Sequence, residues 1–167
     1  MQLCRNCRYL YPVDAHIPCL SCDSTHLTIP CPDNLTGIVE RLLDRGVDVV
    51  SANSDVFDAY DDKTDKTGKI VLLQIELGFW YPAEMFKDLP PDWMTYEYHT
   101  VQDNAPGPAY TGLSHSERIF DDDDDELEYA TALTISNLES WLDNLDADAI
   151  RCIWTLAGYI YPLKYNT

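Results

Sequence analysis

Residues 4 to 22 read CRNCRYLYPVDAHIPCLSC, and the two C-x2-C pairs in that stretch, eleven residues apart, constrain the fold more than any other feature. A C-x2-C turn lets two thiolates converge on one ion while nearby backbone N–H groups point at the sulfurs. Two such knuckles complete a tetrahedral S4 shell, the arrangement of structural zinc. Cys4, Cys7, Cys19 and Cys22 are therefore the expected ligands of a single structural Zn2+. Such a shell has no open coordination position, so it folds a module rather than carrying out a reaction.

The intervening RYLYPVDAHIP supplies two short extended arms around a turn, and THLTI (25–29) a third. Over about its first thirty residues the chain resembles a zinc ribbon with rubredoxin-like knuckles. Iron is the rival metal that this resemblance implies. Rubredoxins usually carry glycine in and after their knuckles, whereas Arg8 and Asp23 follow the second cysteine of each pair here. Cys31 and Cys152 lie outside the frame and read as ordinary buried cysteines. Zinc ribbons commonly bind nucleic acid or dock on large assemblies. Nucleic-acid binding needs Lys and Arg to meet phosphates, and residues 1–32 balance Arg5 and Arg8 against Asp14 and Asp23. A protein contact is the expectation for this neutral module.

The expected division is a four-cysteine ribbon over 1–32 and an acidic α+β domain over 33–167. PCPDNLTGIVERLLDRGV reads as a helix capped by Asp33 or Asn34, with Leu35, Ile38, Val39, Leu42 and Leu43 at core-facing spacing and Gly46 as its stop. VDVVSANSDVF and KIVLLQIEL read as a β-hairpin with a long polar tip. A short helical turn follows Pro82, and MTYEYHTV is a strand with Met94, Tyr96 and Tyr98 on one side. QDNAPGPAYTG reads as a loop. ELEYATALTI reads as a strand, because Tyr129, Thr131, Leu133 and Ile135 alternate. Ser136 and Glu139 then form a capping box for NLESWLDNL, and a last helix begins near Asp148 with Ile150, Ile153, Trp154 and Ala157 inward. The sum is a mostly antiparallel sheet with helices on one face.

The helix ending in Arg45-Gly46, with the Val-rich strand and SANSD stretch after it, is faintly similar to small proteins encoded by bacteriophages.

Charge is the second constraint. Among 167 residues stand 29 acids and 11 bases, a formal net charge of −18. Residues 119–150 hold Asp121, Asp122, Asp123, Asp124, Asp125, Glu126, Glu128, Glu139, Asp143, Asp146 and Asp148 without one Lys or Arg. Like charge packed so densely works against compaction. Four reasons for it compete: solvation by a polar loop, a halophilic origin, cation binding by carboxylates, and recognition of a basic protein surface. DDKTDKTG fails the calcium-loop pattern, because Lys63 stands two residues after Asp61 and glycine is displaced to Gly68. Duplex DNA carries about one negative charge per 1.7 Å of axis. A protein imitates it by fixing carboxylates on rigid elements, and Glu139, Asp143 and Asp146 at i, i+4 and i+7 share one expected helix face beside the Asp run. In charge and size the chain resembles phage-encoded DNA-mimic inhibitors.

No phosphate-binding loop, dinucleotide fingerprint or H-E-x-x-H is present, and no residue is assigned a catalytic role. Neither a membrane-length apolar run nor a signal-peptide core occurs, so the cytoplasm, where thiols stay reduced, is the expected compartment. The function that follows is a non-catalytic acidic protein that binds and obstructs a basic, nucleic-acid-binding host protein without itself binding nucleic acid. An accessory or assembly subunit whose acidity is only solvation is the alternative, and a small hydrolase the third.

Overall fold

The computed structural model describes residues 1–11, 19, 21–25, 28–102, 105–120, 124–146, 148–153 and 155–156, with side chains left aside at 100–102 and 105–106. Short strands β1 (Gln2–Leu3), β2 (Leu10–Tyr11) and β3 (Ile29–Pro30) form an antiparallel sheet in the order β2-β1-β3. The remainder is an α+β fold. Helix α1 (Thr36–Asp44) and strands β4 (Val49–Asp61), β5 (Lys66–Leu77), β6 (Trp93–Gln102) and β7 (Ala105–Phe120) precede helix α2 (Asp124–Asp143). The four long strands make one antiparallel sheet in the order β4-β5-β7-β6.

Alternation on β5 sets the two faces of that sheet. Val71, Leu73, Ile75 and Leu77 are buried on one face, while Ile70, Leu72, Gln74 and Glu76 stay half-exposed on the other. The buried face continues through Ala52, Leu113 and Trp93 and lies under α1 and α2. The same core holds Leu3 and Ile29, each fully buried. The cysteine module therefore packs its own strands into the core of the larger sheet.

Helix α1 begins differently from expectation. Asp33 and Asn34 form a 3-10 turn (Asp33–Leu35) and cap nothing; Asn34 instead donates to Ser54 Oγ at 3.0 Å. Its end is as expected. Gly46 sits at φ 81°, its N–H reaches Leu43 O and the N–H of Val47 reaches Leu42 O, which satisfies the last carbonyls with the one residue that enters left-handed space freely. A second 3-10 turn, Ala83–Phe86, follows Pro82 and buries Met85 and Phe86.

Three expectations fail. The hairpin tip is short rather than long, because β4 and β5 stay paired as far as Asp61 and Lys66. QDNAPGPAYTG is strand on both sides of 103–104, residues that lie outside those described. Pro106 and Pro108 fall where β7 pairs with β6 alone, because its pairing to β5 begins at Gly112. An edge position tolerates the missing N–H. ELEYATALTI is helix, and Ser136 and Glu139 sit inside α2 rather than capping a new one. Leu127, Thr131, Thr134, Ile135, Leu138 and Leu142 form an inward stripe of helical period, whereas Tyr129 and Leu133 from the apparent alternation face solvent. Ala, Leu and Glu favour the helix intrinsically, and Asp124, Asp125 and Glu126 in its first turn complement the positive end of its dipole.

Further helical backbone covers 148–153. Ile150 is buried and Ile153 half-buried as expected; Trp154 and Ala157 lie outside the described residues.

Candidate metal centre and acidic surfaces

The two C-x2-C pairs fold into copies of one turn. In the first, the N–H of Cys4 meets Tyr9 O at 2.9 Å and the N–H of Arg8 meets Cys4 O at 3.0 Å. In the second, Cys19 N–H meets Ser24 O and Asp23 N–H meets Cys19 O, both at 2.8 Å. Each turn is closed by a residue in left-handed backbone, Arg8 at φ 61° and Asp23 at φ 55°. These are the positions where rubredoxins usually carry glycine. Asp tolerates the conformation better than Arg does.

The four sulfurs converge, all within 4.8 Å of one another. Across the knuckles, Sγ of Cys4 lies 3.8 Å from that of Cys22, and Sγ of Cys7 lies 3.7 Å from that of Cys19. A tetrahedral metal with bonds of about 2.3 Å places its sulfurs about 3.8 Å apart, so the shell has the size of an S4 metal site. A disulfide needs about 2.05 Å, and all four thiols are free. The group can hold a metal ion and is consistent with a zinc ribbon.

The surroundings sort the sulfurs. Tyr11 Oη lies 2.6 Å from Cys19 Sγ, and this hydroxyl lowers the Cys19 thiol to about 6. The backbone N–H of Tyr9 lowers Cys7, while burial pushes Cys4 up to about 11. Asn6 Nδ2 donates to Cys22 Sγ at 3.3 Å. Tyr11 and Asn6 are contributors that spacing alone did not reveal; both sit within the cysteine frame, and a polar tip near a knuckle was the available signal. Cys31 is buried as expected, its thiol raised by burial, but Cys152 is exposed, because the helical backbone at 148–153 turns Ile150 inward instead.

Arg5 and Arg8, the two cations of the module, reach back to the larger domain. Arg5 pairs with Asp48, and Arg8 Nη2 lies 3.2 Å from Asp44 Oδ1. Both are thereby engaged at the end of α1 and the loop after it.

The acids divide into two groups. Glu139 and Asp143 do share a face of α2, but α1 packs against that face. Arg41 Nη1 meets Glu139 Oε1 at 3.0 Å, Arg41 Nε meets Asp143 Oδ1 at 3.1 Å, and Arg45 adds a contact to Asp143 at 3.4 Å. Asp146 lies beyond the end of α2, where its carboxylate accepts from the N–H groups of Asp148 and Ala149 at 2.8 and 3.3 Å and starts the next helical segment. The first two carboxylates join α2 to α1, and the third caps the segment that follows.

The second group lies at the end of the sheet away from the cysteines. Asp124, Asp125, Glu126 and Glu128 are exposed on the first turns of α2; Asp121, Asp122 and Asp123 lie outside the described residues. Lys69 pairs with Asp124 and so ties α2 to the β4–β5 hairpin, whose Asp58 stands directly across from Lys69. At the hairpin turn, Asp61 accepts from Lys63 N–H at 3.0 Å and Thr64 Oγ1 at 2.9 Å, which holds its carboxyl below the usual range. Asp62 and Asp65 stand exposed beside it.

His115, flanked by Ser114 and Ser116, is in β7. Its ring is buried against Trp93 and within 3.3 Å of Thr134 Oγ1. Among the described residues no helix is long and apolar enough to cross a membrane. No protein-family model matches the chain, and no curated protein or solved structure matches it significantly.

Proposed function

We propose that this chain is a non-catalytic acidic protein, built around one structural zinc ion, that binds a basic nucleic-acid-binding protein and occupies the surface its nucleic acid would use. The observation that carries this reading is the carboxylate-rich end of the fold, where α2 and the β4–β5 turn are joined by Lys69 and Asp124. Carboxylates there stand on ordered elements, which is what imitation of a phosphate backbone requires. The engagement of Arg5 and Arg8 at the other end supports the companion statement that the protein does not itself bind nucleic acid. Zinc is favoured over iron because Arg8 and Asp23 follow the knuckles where rubredoxin-like iron sites usually carry glycine; an intracellular, phage-related origin is part of the same proposal.

The test uses the tagged full chain to capture partners from a host lysate, followed by association rates of the purified pair at two salt concentrations. Complementary charge mainly accelerates encounter. Replacing Asp124, Asp125, Glu126 and Glu128 with Asn or Gln should slow association and flatten its salt dependence, and DNA should compete with the wild-type chain for the partner. Equal salt slopes, or tight binding of DNA by the chain itself, would refute the reading. The second reading, an assembly subunit whose acidity is solvation, is favoured by the internal pairing of Glu139 and Asp143, and it is the one that equal slopes would leave standing.

A further inference from the structure

Helix α2 has 20 residues and α1 has 9, so α1 flanks only part of its longer neighbour. Its ion pairs reach Glu139 and Asp143, near the C-terminal end of α2. Between Asp124 and Ile135, about 16 Å of helix at 1.5 Å per residue, the flank of α2 turned to β4 has no helix beside it among the described residues. It borders an open cleft of about 330 Å3, with Val71 at the floor and Val56, Leu127 and Ile135 as walls. Val56 stands opposite Val71, on the face of the sheet that the helices cover, yet it is 52% exposed. We propose that this cleft anchors the basic partner by receiving one or two apolar side chains of a cationic amphipathic segment.

Charge selects the occupant. Asp124 and Glu128 line the cleft, and Asp58 follows Val56 on the same face of β4. Beside these carboxylates stands Lys69, which lies across from Asp58 and is paired with Asp124. The rim is therefore acidic on balance around an apolar floor. A nucleic acid or an anionic lipid surface is repelled by such a rim, and a second copy brings a net charge of −18 to it. A segment that carries Lys or Arg around an apolar side chain fits both parts of the site: its apolar group enters the cleft while its cations meet the rim.

The two parts of the site act on different steps of binding. Rim charges mainly speed encounter, whereas an apolar side chain taken out of water slows dissociation. Carboxylates alone give a fast contact that any polycation can make; the cleft adds retention and a fixed orientation. A helical segment suits it, because apolar residues at i, i+3 and i+4 form one face that can lie along the Leu127–Ile135 flank of α2. The volume, at the lower end of the range for ligand pockets, limits the anchor to a side chain or two. This inference rests on the acidic-end reading for the basic character of the partner.

The probe is a synthetic Leu/Lys peptide of about 14 residues, long enough to form a helix, with its leucines on one helical face. It is titrated calorimetrically into the full chain beside a shuffled isomer of equal charge whose leucines share no face. The amphipathic peptide should bind about 10-fold more tightly than its isomer, and both should weaken as salt is raised. Val56→Thr, which keeps the branched shape but adds a hydroxyl, should remove much of that preference. So should Ala132→Gln, which fills the mouth of the cleft from an exposed helix position. Leu133→Gln removes an apolar side chain, 48% exposed, from the other flank of α2 and should leave the preference unchanged. An unchanged circular-dichroism spectrum and melting profile show that each variant folds. Equal binding of the two peptides, or indifference to the Val56 and Ala132 changes, would overturn the cleft and leave the acidic-end reading in place. Failure of the full chain to bind either peptide would overturn it too, whether a second copy or the chain's own residues then cover the site. A peptide preference that persists while DNA fails to compete for the captured partner would refute the acidic-end reading and leave the cleft standing.

Discussion

Single positions fix much of this architecture. Gly112 has no side chain because the ring of Tyr96 lies across it; a Cβ there would come within 2.2 Å of Tyr96 Cζ. Gly112→Ala should destabilise the fold by about 1–3 kcal/mol through overpacking, and Tyr96→Ala in the same chain should remove most of that penalty. Denaturant unfolding of the two single variants and the double one reads the coupling. Asp61 is a local pH reporter. Its folded pKa is depressed below 3.8 chiefly by the Lys63 N–H, so its contribution is complete above that value and is lost as pH falls through the lower folded value. The Lys63 amide resonance should therefore shift in acid below pH 3.8, and Asp61→Asn should abolish that titration while leaving an Asx-type turn.

Elements were legible to the degree that their signals were local. The cysteine pairs, the stripe of α1 with its Gly46 stop, and the period-two pattern of β5 each have one dominant reading, and each is found where expected. ELEYATALTI did not, because Tyr129, Thr131, Leu133 and Ile135 satisfy a strand pattern while Leu127, Thr134, Leu138 and Leu142 satisfy a helical one. Only the helices' contact with the sheet decides between them. The contact between the two helices recast Glu139 and Asp143, whose spacing was read correctly as one face, but whose partner is α1; nothing local to α2 announces Arg41. Arg41→Met should cost about 0.5–1.5 kcal/mol, since two carboxylates lose a shared cation in a partly exposed setting. Adding Glu139→Gln should recover part of the loss. Thermal melts of the two variants against the parent measure it.

At the scale of the whole molecule, the strands of the cysteine module reach into the main core, although the cysteines themselves form a buried cluster of their own. Leu3 and Ile29 connect them, fully buried among residues of α1 and β4. Burial of such side chains contributes about 1.5–3 kcal/mol each. Chelation of the metal, or Cys4→Ser, should therefore lower the melting temperature of the entire protein in a single transition rather than release a separate module. Calorimetry with and without chelator decides it, and a large domain melting unchanged would show the two parts to be independent. The strand order β4-β5-β7-β6 carries a kinetic consequence. Each outer pair is a hairpin of neighbouring segments, able to form within about 1–10 μs, whereas the central β5–β7 seam must close a long loop and forms later. Within that seam Glu76 and Gly112 are separated by fewer residues than Gly68 and Phe120, so closure starts beside Tyr96 and travels toward the hairpin tip. Pulse-labelled amides of β5 should gain protection in that order, Glu76 before Gly68, and the carboxylate-rich end of the protein is then the last part of the sheet to become rigid.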